Sequence, residues 1–241
     1  MTPTNAHGQP IGPPVALELP RPLPPRTDMV GRFCRVVPTV PAHADGLFRA
    51  FGQDAEGRNW TYLFEDPIPT RAEFDTWLAR CCASADPLYH TICHPDGTPV
   101  GLATYMRITP AHGVIEVGSI HFSPLMQGTS VATEAMYLMM ARVFDQLGYR
   151  RYEWKCDALN APSRRAAERL GFTFEGIFRQ ALVYKGRSRD TAWFSITDAE
   201  WPAVRAGFLA WLDPANFDDH GRQKQPLADL RRGGAPGPDF P

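Results

Sequence analysis

Apolar positions along this chain change period repeatedly, and each change marks an element. The clearest run is 130–146, where Val131, Ala135, Leu138, Met139 and Val143 return at helical spacing. Leu147-Gly148 then supplies a stop. Upstream, residues 32–37 read as a strand and 42–51 as a helix. Thr70 and Glu73 form a capping box that opens a helix over 70–83. Residues 88–94 and 99–108 read as a hairpin around Pro95-Asp96-Gly97, and 114–122 as a further strand. Downstream, 151–156 is a strand. Residues 161–170 form a helix with Pro162 in its first turn and Gly171 just past its end. Residues 172–184 and 190–196 are strands joined at 185–187. A last helix is predicted over 197–212, opened by a second capping box, Thr197 with Glu200.

This alternation predicts an α/β (α+β) domain: a mixed, mostly antiparallel central sheet flanked by helices. At 241 residues and 44% hydrophobic, the chain suffices for one such domain with extra segments. Those segments lie at the ends. Residues 1–28 are proline-rich and predict an extended arm. Residues 213–241 predict a weakly ordered tail. The domain proper is 29–212.

Charge removes some functions. A formal net charge of −1 argues against a nucleic-acid partner. The five cysteines show no CxxC pair and no metal-ligand spacing with histidine, so no metal is expected. No apolar stretch approaches the ~20 residues of a membrane span, and no signal core is present, which predicts a cytoplasmic protein without a membrane partner.

One segment suggests chemistry. A strand ending at Phe122 leads through Gln127, Gly128, Thr129, Ser130, Val131 and Ala132 into the long helix. Small residues there let a ligand approach the backbone, and the free N–H groups of a first helical turn attract an anion. GxxxxGK and GxGxxG are both absent, so neither a P-loop nor a dinucleotide fingerprint is present.

A second segment sharpens this. Asn160-Ala-Pro-Ser163-Arg-Arg165, followed by Leu170-Gly171-Phe172, lies one strand later. With Ile115 to Gly118, Gln127 to Ala135, Glu175 to Gln180 and Arg189-Asp190, it resembles the GNAT superfamily, and within it the branch of ribosomal-protein alanine and serine N-acetyltransferases. The resemblance spans residues 32–212. It implies an acyl-CoA-dependent N-acyltransferase, with acetyl-CoA or coenzyme A as co-substrate and two strands splayed to form the coenzyme A cleft. The loop 127–132 would hold the pyrophosphate. Asn160 and Ser163 would lie along the pantetheine arm, and a main-chain N–H near His121 or Phe122 would polarise the thioester carbonyl. Arg165 would reach the 3′-phosphate, or else lie on a solvated helix face with Arg164. The acceptor would be a small-molecule amine or a protein N-terminal amine, and a homodimer is compatible with the resemblance.

Two positions depart from the family pattern. Ser130 stands where the loop usually carries its inner glycine, and Ala167 stands where many members carry a tyrosine general acid. Ser163 or water would then protonate the leaving thiolate. These departures motivate the alternative, a coenzyme A-binding regulatory or sensor protein without transferase activity. The base is open between Glu116 and His121, each of which also has a purely structural reading. A lysine-type amine with pKa ~10.4 needs such a base far more than an α-amine near ~8. Glu134 would favour the helix dipole. The aromatic residues Trp60, Tyr62, Phe64, Phe74 and Trp77 would either line an acceptor pocket or pack the core.

Overall fold

Eight strands form one sheet in the computed structural model, which describes residues 2–232. In chain order they are β1 (Met29–Val30), β2 (Arg35–Pro38), β3 (Leu88–Cys93), β4 (Pro99–Thr109), β5 (Val114–Phe122), β6 (Arg151–Asp157), β7 (Thr173–Tyr184) and β8 (Arg187–Thr197). Their spatial order is β1-β2-β3-β4-β5-β6-β8-β7. Every pairing is antiparallel except β5 with β6. That parallel pair needs a crossover, and the long central helix provides it.

The helices are α1 (Ala44–Phe51), α2 (Arg71–Ala83), α3 (Ser130–Ala141), α4 (Ala161–Leu170), α5 (Trp201–Leu212) and α6 (Leu227–Arg232). Two separate apolar clusters show how they divide. Leu47, Phe51, Phe74 and Trp77 from α1 and α2 pack with Trp60 and Leu102 on one sheet face. Residues of α3, α4, α5 and α6 share the larger cluster on the other, with Ile115, Val117, Tyr152 and Phe194. Thr70 caps α2 as its sequence predicts: its hydroxyl accepts from the Glu73 N–H at 3.3 Å and donates to the Glu73 carboxylate at 2.7 Å.

The Thr197–Glu200 box does something else. β8 runs through Thr197, whose N–H and hydroxyl both donate to Glu200 at 2.7 Å. The pair therefore closes a turn after the strand, and α5 starts at Trp201 rather than at 197. The long helix keeps its predicted extent, but its last five residues, Arg142–Gln146, widen into a π turn. The buried Arg142 there donates to the carbonyls of Thr27 at 2.7 Å and Asp28 at 2.9 Å. Arg21 donates to Leu147 O at 2.9 Å, so the proline-rich arm is strapped to the end of this helix.

The tail is a correction. Residues 213–232 fold back onto the body rather than forming a weakly ordered end. Phe217 packs on Phe33 and Trp211, with centroids 5.1 and 5.3 Å apart. Asn216 donates to Trp211 O at 3.0 Å, and Leu227 is buried. A few apolar anchors among many polar residues suffice, which composition alone hides. The remainder of the predicted tail, 233–241, lies outside the described residues. No helix among the described residues is long and apolar enough to cross a membrane.

Glu134 also differs from its expected dipole role. It is 3% exposed and accepts main-chain N–H bonds from Arg32, Phe33 and Cys34 at 2.8, 2.6 and 2.9 Å. Gly31 lies against it, and a Cβ there would overlap the carboxyl group. One carboxylate thus fixes the β1–β2 turn onto α3. Glu134→Ala should lose about 3 kcal/mol of stability, because buried N–H donors are left without acceptors, and Glu134→Gln should lose less. Urea denaturation of the three proteins checks this; equal midpoints would refute the role.

Candidate active site

The pairing of β5 with β6 stops after Val117–Trp154. Both strands continue, β5 held by β4 as far as Phe122 and β6 held by β8 as far as Asp157. A bulge explains the parting. Across β4, Leu102 faces His121 but Thr104 faces Gly118, so β5 carries an extra residue there. Ser119 takes the left-handed conformation, with φ of 45°. Such an insertion bends its strand, and the edge of β5 beyond it is freed from β6. A cavity of about 1290 Å³ opens at the gap, reaching both sides of the sheet.

On the α3 side, the cavity meets a helix end without a side-chain cap. Thr129 is the cap residue but makes no side-chain cap bond; its hydroxyl donates back to Met126 O at 2.7 Å. No acidic residue stands in the first turn. The N–H groups of Ser130, Val131 and Ala132 have no intrahelical acceptor by helix geometry. Two other groups of the predicted loop are occupied: the N–H of Gln127 donates to Ser123 O at 3.2 Å, and that of Thr129 to Met126 O at 3.2 Å. The Gln127 side chain braces the loop, donating to Phe122 O at 2.8 Å and Asn59 Oδ1 at 3.0 Å. Gly128 holds a φ of 70°, so its turn favours glycine.

The β6–α4 junction forms the adjoining wall. Asn160 caps α4, its Oδ1 accepting from the Ser163 N–H at 3.1 Å. Ser163 Oγ accepts from Trp154 Nε1 at 3.0 Å. Arg165 is exposed and lines the cavity, whereas Arg164 turns away over the Phe174 ring, 5.6 Å from its centroid. Ala167 is buried in the core and offers no polar group.

The α1–α2 side of the cavity is charged. Glu116, 4% exposed, accepts from Lys155 Nζ at 2.8 Å and pairs with Arg107 Nε at 3.2 Å. Lys155 also donates to Glu153 at 2.7 Å and lies 3.9 Å above the Trp193 ring. Arg151 bridges Glu153 and Glu175. Burial pushes the Glu116 pKa upward, opposed by Lys155 and Arg107. His121 differs. Its ring stacks on Phe51 at 3.7 Å and meets Trp60 edge-on at 4.3 Å. Neither ring nitrogen has a hydrogen-bond partner, and burial pushes its pKa down to about 3, so the imidazole is neutral.

The aromatic residues divide. Trp60, Phe74 and Trp77 belong to the α1–α2 core, while Tyr62 and Phe64 line the cavity. The loop carrying them spans the gap: Tyr62 donates to Leu159 O at 3.2 Å, and Lys185 to Trp60 O at 2.8 Å. Lys155, Glu153, Trp193 and Arg189 were missed by sequence reasoning. A signal existed, since Arg151, Glu153, Lys155 and Asp157 place a charge at every second position of one strand. Among the described residues, no group of three His, Cys, Asp or Glu side chains could hold a metal.

A mostly antiparallel sheet parted at its one parallel pair, beside an uncapped helix end, is the architecture of a GNAT-type acetyltransferase. Residues 35–173 match the family described as acetyltransferase (GNAT) domain. The crystal structure of a GCN5-related N-acetyltransferase from Brucella melitensis is 50% identical, covers 90% of this chain and 99% of its own, and superposes with a TM-score of 0.87. The chain belongs to the GNAT acetyltransferase family. The provisionally named ribosomal N-acetyltransferase YdaF of Bacillus subtilis is 26% identical over 44% of this chain; the match spans 57% of YdaF's own length. The fold is also that of the microcin C7 self-immunity acetyltransferase MccE, solved with acetyl-CoA and AMP, at 19% identity and a TM-score of 0.64 over 73% of this chain and 98% of MccE.

The state of His121 has a consequence for stability. Its folded pKa lies below the ordinary 6.5, so the unfolded chain takes up the proton first as pH falls. Stability contributed by the neutral ring is complete above pH 6.5 and declines toward about 3, by up to ~1.4 kcal/mol per pH unit. His121→Phe, which keeps the stack on Phe51, should flatten the fall between pH 6.5 and 4 seen in denaturant titrations. An unchanged slope would show that His121 is not its source.

Proposed function

We propose that this protein is an acetyl-CoA-dependent N-acetyltransferase that acetylates a primary amine by direct attack within a ternary complex. The observation that carries this reading is the cavity crossing the sheet where β5 and β6 part, with the α3 N-terminus at one mouth and the Glu116–Lys155 pair at the other. A thioester threaded from the α3 side would present its carbonyl to an amine arriving from the opposite face. Positioning the two reactants supplies much of the rate.

The donor's pyrophosphate would rest on the N–H groups of Ser130, Val131 and Ala132, with Gly128 allowing close approach and Arg165 meeting the 3′-phosphate. Gln127, Thr129 and Phe122 shape the loop through the contacts already described. Asn160 Oδ1 is engaged in capping, so its amide NH₂ is the group offered to the pantetheine arm. Main-chain N–H groups of β5 beyond the bulge would polarise the carbonyl. Glu116 is the favoured base: it is paired with two cations, and it faces the acceptor side. His121 fits a packing role, since a buried imidazole with so low a pKa takes a proton poorly. Ser163, whose oxygen accepts from Trp154, keeps its own proton available for the departing thiolate.

Calorimetric titration should show acetyl-CoA and coenzyme A binding much more tightly than ADP. Thr129→Asp puts a carboxylate where the pyrophosphate belongs; it should weaken both CoA ligands roughly tenfold or more while leaving the thermal midpoint unchanged or raised. Absence of CoA binding to the unaltered protein would end this reading.

Glu116→Gln should lower kcat/KM for the amine by about 10²–10³ with little change in acetyl-CoA affinity. Burial raises the Glu116 pKa, so the acidic limb of the kcat/KM profile should lie above the ordinary 4.5, activity rising with pH through it. That limb should vanish in the variant. A limb of unchanged position would assign the base elsewhere.

A further inference from the structure

Alternate residues of β8 face the same side of the sheet as Glu116 and Lys155, among them Arg189, Thr191 and Trp193. All three line the cavity. Each holds a buried polar atom without a hydrogen-bond partner: Arg189 Nε, Thr191 Oγ1 and Trp193 Nε1. Arg189 is the extreme case. It is 8% exposed, and its guanidinium forms no ion pair and no hydrogen bond with any described residue. Its neighbours are two rings, Phe64 at 5.8 Å and Tyr184 at 5.7 Å. Asp157 is committed elsewhere: Oδ1 accepts from the Leu159 N–H at 2.8 Å, and Oδ2 from the Tyr184 hydroxyl at 2.7 Å.

A buried cation without a direct ion pair is costly to keep. Of the other cations lining this cavity, Lys155 is matched by Glu116 and Glu153 and Arg107 by Glu116, whereas Arg165 and Arg169, which form no ion pair with a described residue, belong to α4 on the opposite side of the sheet. Arg189 is left over, at the wall of a substrate cavity. A planar guanidinium bounded by rings presents a fork suited to an oxyanion. The phosphates of the donor do not explain it, because the α3 N-terminus and Arg165 serve those from the other side of the sheet. Arg189 lies on the acceptor side, past the Asp157–Thr191 pair that ends β6.

We propose that Arg189 binds an oxyanion carried by the acceptor, making the natural acceptor an amine with a carboxylate or phosphate remote from its nucleophilic nitrogen. This rests on the transferase reading for the position of the amine. From Trp193 to Arg189 along the strand is about 13 Å, and the arginine side chain reaches back over part of it. The separation is on the order of 7–10 Å, the span of a short peptide rather than a free α-amino acid.

The test pairs probes differing in the anion alone. Ala-Gly-Gly and its C-terminal amide, and 3-aminopropyl phosphate and 3-aminopropanol, are titrated calorimetrically into the full-length protein with coenzyme A present. At least one acid should bind tenfold or more tighter than its neutral partner, and the better of the two names the oxyanion. Arg189→Gln should bring each pair to within about twofold, with acetyl-CoA affinity unchanged and no loss of thermal midpoint. Arg189→Lys, which keeps the charge without the fork, should fall between, and it serves if the glutamine variant fails to fold. Equal binding within both pairs, or no binding by any of the four, overturns the proposal. Acetyl transfer to the same probes is scored separately. Acid-selective binding without transfer would leave Arg189 its role and sink the transferase reading; transfer without selectivity would do the reverse.

Discussion

The loss of the β5–β6 ladder after Val117–Trp154 is the constraint on which the rest of this molecule turns. A parallel pair inside a sheet normally persists, because each unpaired backbone group buried at its edge is costly. Here the bulge at Ser119 makes the opening unavoidable: β5 must follow β4 through Gly101–Phe122, while β6 must follow β8 through Asp157–Thr191. The edges exposed between them are polar and face a cavity, so a ligand with amide groups of its own can take the place of the missing strand contacts. The same geometry brings α3 down beside the gap, because the crossover helix must begin where β5 ends.

The two faces of the opening are made differently. On the α3 side the groups on offer are main-chain N–H donors at a helix end, which need only small residues and correct conformation. On the other side they are side chains. Glu116, Lys155, Glu153, Arg151 and Glu175 form one connected chain of ion pairs in a largely buried strip. Burial raises the Glu116 pKa, and two cations oppose that shift. Such a strip holds its members in one geometry, because removing any of them strands a charge.

This division also explains what could be read from the chain beforehand. Residues 114–122 and 161–170 form the strand and helix that their pattern predicts, and the capped helix after Thr70 follows from two residues. Gly128 was legible because a turn that needs a positive φ favours glycine, a requirement local to the chain. Thr197 and Glu200 misled, since the same hydrogen bonds that can cap a helix can close a turn before one. Glu134 could not be read as the anchor of residues 32–34, because those donors lie about a hundred positions away and the contact is tertiary. The tail misled for a related reason: Phe217 and Leu227 matter only through the surfaces they meet.

Alternation on β6 and β8 is the informative case. Arg-Tyr-Glu-Trp-Lys-Cys-Asp, read alone, is an ordinary strand with one wet face. In the fold its charged face lies beneath the loop through Tyr62 and Phe64, so polar positions such as Lys155 and Asp157 line a cavity. Whether a charged strand face is solvated or functional is decided by what covers it. Cover comes here from residues 58–66, whose sequence has no periodicity of its own. In the proposed reading the donor is held by backbone geometry, and acceptor choice is left to side chains beneath that loop. On that reading the chemical identity of the acceptor is written in β8 and its cover, Arg189 among them.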